Sequence, residues 1–173
     1  MVAHGERAAV GTTSPASLSF ERFFEFEYPK LVRALLPVAK DEALAEECAQ
    51  EAMAVAFERW ERIRVMDSPV GYIYTIGVNL RRRRARRDAW QVWRHEQPGA
   101  SADPADGIVA RSDLLSAISQ LPAGQRDALL LVEVLGLDAV AAGTVLGVAA
   151  ASVRSRVHRS RTTLQHILGG GWA

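Results

Sequence analysis

Residues 138–168 read DAVAAGTVLGVAAASVRSRVHRSRTTLQHIL, and the reading of this stretch decides the fold. An apolar segment from Asp138 to Leu146 stops at Gly147, and a second begins at Ala150 and runs to about Leu168. Val153, Val157 and Leu164 share one side of the second segment. Two helices joined by Gly147-Val148-Ala149 predict a helix-turn-helix, whose second helix enters the major groove and reads bases while neighbouring groups hold phosphates. Ser152, Ser155 and Arg159 then point outward, flanked by Arg154, Arg156 and His158. Arginine pairs with guanine edges, and serine is short enough to let the backbone come close. A plain helical hairpin with a solvated basic face is the alternative. From Ala139 to the end the chain has four arginines and no acid, which favours DNA.

A second basic block lies upstream. Ser68-Pro69 is a good helix start, serine as cap and proline at the first helical position. Ile73, Ile76 and Leu80 give that helix an inner face. It also carries Tyr72, Tyr74 and Asn79 before running into RRRRARR at 81–87. Aromatic rings and an amide beside dense positive charge suit opened, single-stranded DNA next to duplex phosphates. Tyr72, Trp90 and Trp93, each taken singly, read as core. Six arginines in seven positions repel one another unless an anion compensates. Before this helix, Ala45, Cys48, Ala49, Ala52, Met53, Ala56, Phe57 and Trp60 recur at steps of three and four, an amphipathic stripe. Cys48 on that stripe reads as a buried, inert thiol. The opposite face carries Glu47, Gln50, Glu51 and Glu58. A turn is expected around 64–67. Upstream again, Phe20, Phe23, Phe24, Leu31, Leu35 and Val38 recur at helical spacing, with Pro29 and Pro37 expected to kink or split the helix.

The whole chain has 173 residues, 21 Lys+Arg and 20 Asp+Glu, so its net charge of +1 hides strong segregation. Six acids and no base lie between Asp41 and Glu58, whereas seven arginines and one acid lie between Arg81 and Arg94. An acidic block followed by two basic ones implies at least two kinds of partner surface. Nineteen of the 21 bases are arginine, which suits phosphate recognition. The one cysteine rules out an internal disulfide framework and a multi-cysteine zinc site. No run of about 18 apolar residues exists for a membrane span, and no secretory signal is visible at the start. Glycine-rich phosphate loops are missing. No metal and no cofactor is expected, and a cytoplasmic setting fits. No alternating strand pattern appears, so the expectation is an all-α chain of two small helical domains joined by a flexible linker. Its parts are a disordered tail at 1–17, a first domain at 18–94, a linker at 95–110 rich in proline and glycine, a second domain at 111–168, and a tail at 169–173.

At this point the residues resemble a family. The stretch from Phe20 to Leu168 looks like an RNA polymerase sigma factor of the extracytoplasmic-function group, within the sigma-70 family. Its signature of alanine and acids leading to Gln-Glu is matched by Ala45-Glu46-Glu47-Cys48-Ala49-Gln50-Glu51. The promoter-melting helix is matched by Pro69-Val70-Gly71-Tyr72-Ile73 and Asn79-Leu80, with tyrosine in place of the usual tryptophan. The opening of the second domain is matched by Leu121-Pro122-Ala123-Gly124-Gln125-Arg126, and its recognition helix by Val153-Arg154-Ser155-Arg156-Val157-His158-Arg159. Two departures stand out. Asp138-Ala139-Val140-Ala141-Ala142-Gly143 replaces a pattern with Ser/Thr and Glu-Ile-Ala, and Ala150-Ala151-Ser152 stands where Glu-Gly-Thr is common.

The resemblance implies a transcription initiation factor that binds core RNA polymerase, directs it to promoter DNA and opens the minus-10 element, without catalysis of its own. Glu47, Gln50 and Glu51 would bind core polymerase. Arg62, Arg64, Ser68, Tyr72, Asn79, Arg82, Arg83 and Arg86 would bind the minus-10 element. Ser152, Arg154, Ser155, Arg156, His158 and Arg159 would bind the minus-35 element. An anti-sigma factor is a further partner that the family allows. The rival reading is a stand-alone helix-turn-helix regulator, which has no need of the acidic Glu47, Gln50 and Glu51 face. An enzyme is a third. Four scattered histidines (4, 95, 158 and 166) without a nucleophile–base spacing speak against it.

Overall fold

The computed structural model describes residues 19–94 and 112–169, with side chains up to Arg87 in the first span. The tail at 1–17, the linker at 95–110, the end at 170–173, and the side chains of Trp90 and Trp93 lie outside the described residues. The first module holds α1 (Phe20–Ala39), α2 (Glu42–Glu58), the single turn α3 (Trp60–Ile63) and α4 (Pro69–Arg94). The second holds α5 (Ser112–Gln120), α6 (Ala123–Leu129) continued by a π-helical turn at Leu130–Val134, α7 (Ala139–Leu146) and α8 (Ala150–Ile167). No strand occurs among the described residues.

Side chains at the helix starts fix the boundaries. Ser19 caps α1 by accepting from the Arg22 N–H, and Asp41 caps α2 by accepting from the Leu44 N–H at 2.7 Å. Lys40 between them takes a left-handed φ of 62°, which reverses the chain within two residues. α2 then lays its alanine stripe against α1 and α4. Ala45, Cys48, Ala49, Ala52 and Ala56 are all fully buried, and such small residues let three helices pack closely. Burial pushes the Cys48 thiol above its ordinary range, so it stays protonated and unreactive, as the stripe implied.

Three expectations need correction. Pro29 and Pro37 do not split α1, which runs unbroken for 20 residues. Each proline costs a backbone hydrogen bond, but Leu31, Ala34, Leu35 and Ala39 bury one face throughout, and tertiary packing holds the helix. Phe57 is not core. At the end of α2 it is 61% exposed, lying edge-on to Phe20 at 5.1 Å. Tyr74 offers no stacking surface, being only 2% exposed. The inner face of α4 is broader than Ile73, Ile76 and Leu80 suggest, because two sides of the helix are covered. Ile73 and Gly77 face α1, where a Cβ at Gly77 would stand 2.8 Å from Leu35. Pro69, Gly71, Tyr74 and Val78 complete the buried set, and Gly71 and Tyr74 meet the second module.

Candidate nucleic-acid interface

The second module builds its candidate reader from α7 and α8. Asp138 caps α7, accepting from the Val140 and Ala141 N–H groups at 2.8 Å each. Gly147 takes φ +66°, which glycine adopts without strain, and the two helix axes bend by 99° there. That angle lies within the range of helix-turn-helix units. Gly143 meets a second demand. A Cβ there would stand 2.6 Å from the Val148 carbonyl oxygen, whose neighbour in the turn, the Val148 N–H, bonds the Gly143 carbonyl at 2.9 Å. The glycine that departs from the family pattern thus permits a tight turn. The cost of the other departure also shows, since α8 starts at Ala149 without any side-chain cap.

Val153 and Val157 are buried, as is Ser160, whose hydroxyl lies 3.1 Å from the Gln125 carbonyl and 2.8 Å from that of Arg156. That face fixes which side of α8 looks outward. Ser152, Arg154, His158 and Arg159 are exposed, and Ser155 is half-buried. The Arg159 guanidinium donates to the Ser155 hydroxyl at 3.0 Å, tying these two predicted contacts together. Arg156 is placed differently. It is half-buried, with its guanidinium over Gly124.

On the first module, Arg62, Asn79, Arg82, Arg83 and Arg86 are exposed and Tyr72 is half-exposed. Arg64 is held by Glu61 through two contacts of 2.9 and 2.7 Å. Ser68 stands before Pro69 as expected, but its hydroxyl caps nothing and is a buried oxygen without a partner. It lines a cleft of about 480 Å³ together with Val65, Met66, Asp67, Tyr72 and Thr75. Thr144 and Val145 of α7 close the cleft from the other module.

Glu47, Gln50 and Glu51 are exposed on one face of α2, and one residue that sequence reasoning missed organises them. Arg84 reaches across from α4 to contact Glu47 at 2.6 Å and Glu51 at 2.8 Å. It was counted among seven arginines, when its position in the run places it on the side nearest α2. Asp127 was missed as well. It is 8% exposed, accepts a hydrogen bond from the Tyr74 hydroxyl at 3.1 Å, and lies 3.8 Å from Arg82. Its signal in the sequence was a single acid directly before the apolar run from Ala128 to Val132. Burial pushes its carboxyl above the usual range, against the pull of Arg126 and the Tyr74 bond. Burial and the neighbouring Asp127 hold the Tyr74 phenol far above its ordinary range, so it remains a donor. Among the described residues no cluster of His, Cys, Asp and Glu could hold a metal, and no single helix is long and apolar enough to cross a membrane.

Comparison with known proteins assigns both modules. Residues 23–91 match the family model Sigma-70 region 2, and residues 111–164 match Sigma-70, region 4. RNA polymerase sigma factor CarQ of Myxococcus xanthus is 29% identical over 87% of this chain and 90% of its own length. ECF RNA polymerase sigma factor EcfG of Rhodopseudomonas palustris is 28% identical over 72% of this chain and 71% of its own. The fold matches that of the sigma factor RpoE from Bartonella quintana, solved in complex with the anti-sigma factor NepR. The TM-score is 0.70 at 22% identity, covering 88% of this chain and 98% of RpoE. CnrH, solved with the cytosolic domain of CnrY, matches with a TM-score of 0.59 at 19% identity, over 91% of this chain and 94% of CnrH.

Proposed function

The chain belongs to the sigma-70 family of RNA polymerase sigma factors, in its extracytoplasmic-function group, and from that we propose how its surfaces share the work of initiation. It is a promoter-directing transcription initiation factor. Its partners are core RNA polymerase and promoter DNA, and its work is binding, with nucleotidyl transfer left to the core enzyme in the cytoplasm. Glu47, Gln50 and Glu51 form the face for core polymerase. Arg62, Arg64, Ser68, Tyr72 and Asn79 line the path of the opened minus-10 strand, with Arg82, Arg83 and Arg86 on backbone phosphates. Arg154, Ser155 and Arg159 read the minus-35 element, with Ser152 and His158 at the groove edge and Arg156 beside them. An anti-sigma factor is a further partner, as RpoE has in its complex with NepR.

The observation that carries this reading is the pairing of two basic helices, α4 and α8, on modules that match the family's two regions in order. The acidic face on α2 sets the chain apart from a stand-alone helix-turn-helix regulator. Run-off transcription with purified core polymerase tests it. Specific transcripts are expected only when the protein is added, and none from core with or without it would overturn the reading.

A further inference from the structure

Glu47 and Glu51 stand one helical turn apart on α2, and two carboxylates at that spacing repel each other. Both side chains reach into solvent, so nothing in α2 itself would hold them in one rotamer. Arg84 supplies the constraint from the neighbouring helix. Its guanidinium meets a Glu47 oxygen through Nη1 at 2.6 Å and a Glu51 oxygen through Nη2 at 2.8 Å. Both contacts are made by Oε2, and neither involves the Oε1 atom of the same carboxylate. The Arg84 side chain is 19% exposed, against 62% for Glu47 and 47% for Glu51, so the cation lies behind the two acids. Its neighbours in the run go elsewhere: Arg83 and Arg86 are exposed, and Arg82 lies against Asp127.

We propose that Arg84 is a positioning residue for core polymerase, holding Glu47 and Glu51 as a preformed pair with an oxygen of each left for the partner. The inference deepens the assignment of this face to core polymerase and rests on it. The arginine fork is planar and rigid, and its two terminal nitrogens fix the separation of the carboxylates they bind. A basic partner surface then meets side chains whose rotamers are already chosen, and the cost of ordering them on binding is avoided.

The charge of Arg84 acts the other way. It cancels one of the two negative charges, so the face draws a distant basic surface less strongly. These effects fall on different rate constants. Net charge governs encounter and therefore association, whereas the geometry of contacts once made governs dissociation. Arg84 thus slows association and lengthens the life of the complex. Lysine at this position would keep the charge and lose the fork, because an ammonium on a flexible stem cannot fix both carboxylates at once.

Stopped-flow binding of the full chain to purified core polymerase separates the two rates. Arg84→Ala should raise the association rate about threefold, steepen its fall with salt, and raise the dissociation rate about tenfold. Arg84→Lys should associate at the wild-type rate and dissociate like the alanine variant. Both should keep wild-type helicity by circular dichroism. Wild-type dissociation in Arg84→Lys would reduce the residue to a charge and overturn the positioning role. Tighter overall binding by Arg84→Ala would make it a competitor for the carboxylates, which overturns the role equally. The double variant Glu47→Gln, Glu51→Gln should bind core at least about tenfold more weakly, and adding Arg84→Ala to it should speed dissociation no further. An equal effect of Arg84→Ala with and without the two glutamates would place its action outside the pair and sink the proposal. If the double variant binds core as the wild type does, the assignment of this face to core polymerase falls, and the role of Arg84 with it. If the double variant binds weakly while Arg84→Ala dissociates at the wild-type rate, the face stands and the role of Arg84 alone falls.

Discussion

α4 and α8 are both arginine-rich helices in small all-α modules, yet the fold uses their charge in different ways. On α4 the run at 81–87 is partly consumed inside the protein: Arg84 bridges Glu47 and Glu51, and Arg82 lies against Asp127. On α8, Arg154 and Arg159 look outward, while Arg161 is drawn back to Glu133 and Arg156 lies over Gly124. A count of arginines therefore overstates what α4 can offer to DNA and fits α8 better. The difference follows from position. α4 lies between the first module's acidic helix and the second module, whereas α8 packs one face and leaves the other to solvent.

The largest expected effect breaks α8 by breaking its turn. At Gly143 an added methyl meets backbone at Val148, which has no rotamer to change. Gly143→Ala should cost about 1–3 kcal/mol of stability, read as a lowered Tm, and should abolish minus-35 selectivity while the module of α1, α2 and α4 keeps its helices. An unchanged Tm with normal promoter choice would show that the turn tolerates the methyl. Next in size come the outward arginines. Where Arg154 or Arg159 pairs with a guanine edge, alanine should cost about 1–3 kcal/mol at one base position of the upstream element, measured by binding to single-base operator variants. A uniform loss over all variants would make that arginine a phosphate anchor, and no loss from either would remove α8 as the reader.

Much of this was legible in the sequence. The glycine turn and the valine spacing gave α7 and α8, and the alanine stripe gave the buried face of α2, because one-sided burial writes its period into one helix. What escaped notice has non-local causes. Tyr74 looked like a stacking aromatic because its cover, Asp127 on α6, lies 53 residues away in the chain. Pro29 and Pro37 looked like breaks because their local cost is visible and the packing that outweighs it is not. Ser68 looked like a cap on local chemistry alone, while its hydroxyl is buried beside Gly71, where Val145 of the second module covers the start of α4.

A smaller effect concerns pH and the contact between the two helices' modules. Burial raises the Asp127 carboxyl in the folded protein, so the folded form holds its proton to higher pH than the unfolded chain does. Its contribution to stability is thus fully present below the ordinary carboxylate range and is lost as pH rises through the raised value. Asp127→Asn should raise Tm at neutral pH, and the gain should shrink as the pH is lowered through the acid range. A gain that stays constant with pH would show that the carboxylate is not strained by its burial.

The smallest effect sharpens the comparison most, because it asks which arginines of α4 are available to DNA. Each phosphate contact releases a condensed counterion, and contributes about 0.9 to the slope of log affinity against log salt on duplex, or about 0.7 on single strands. Arg83 and Arg86 are exposed and reach into solvent. Replacing either by alanine should lower the slope by about that amount and leave the chosen promoter unchanged. Arg84 is already neutralised by Glu47 and Glu51, with its side chain only 19% exposed, so Arg84→Ala should leave the slope almost unaltered. Its consequence should fall on core polymerase instead, since two carboxylates released from their internal partner present more charge to a basic surface. Titration of promoter DNA with holoenzyme between 50 and 200 mM salt, roughly the range over which such contacts separate, measures all three variants together. A slope that falls equally in the Arg84, Arg83 and Arg86 variants would mean that Arg84 leaves its carboxylates when the promoter binds, and that α4, like α8, presents its charge to DNA.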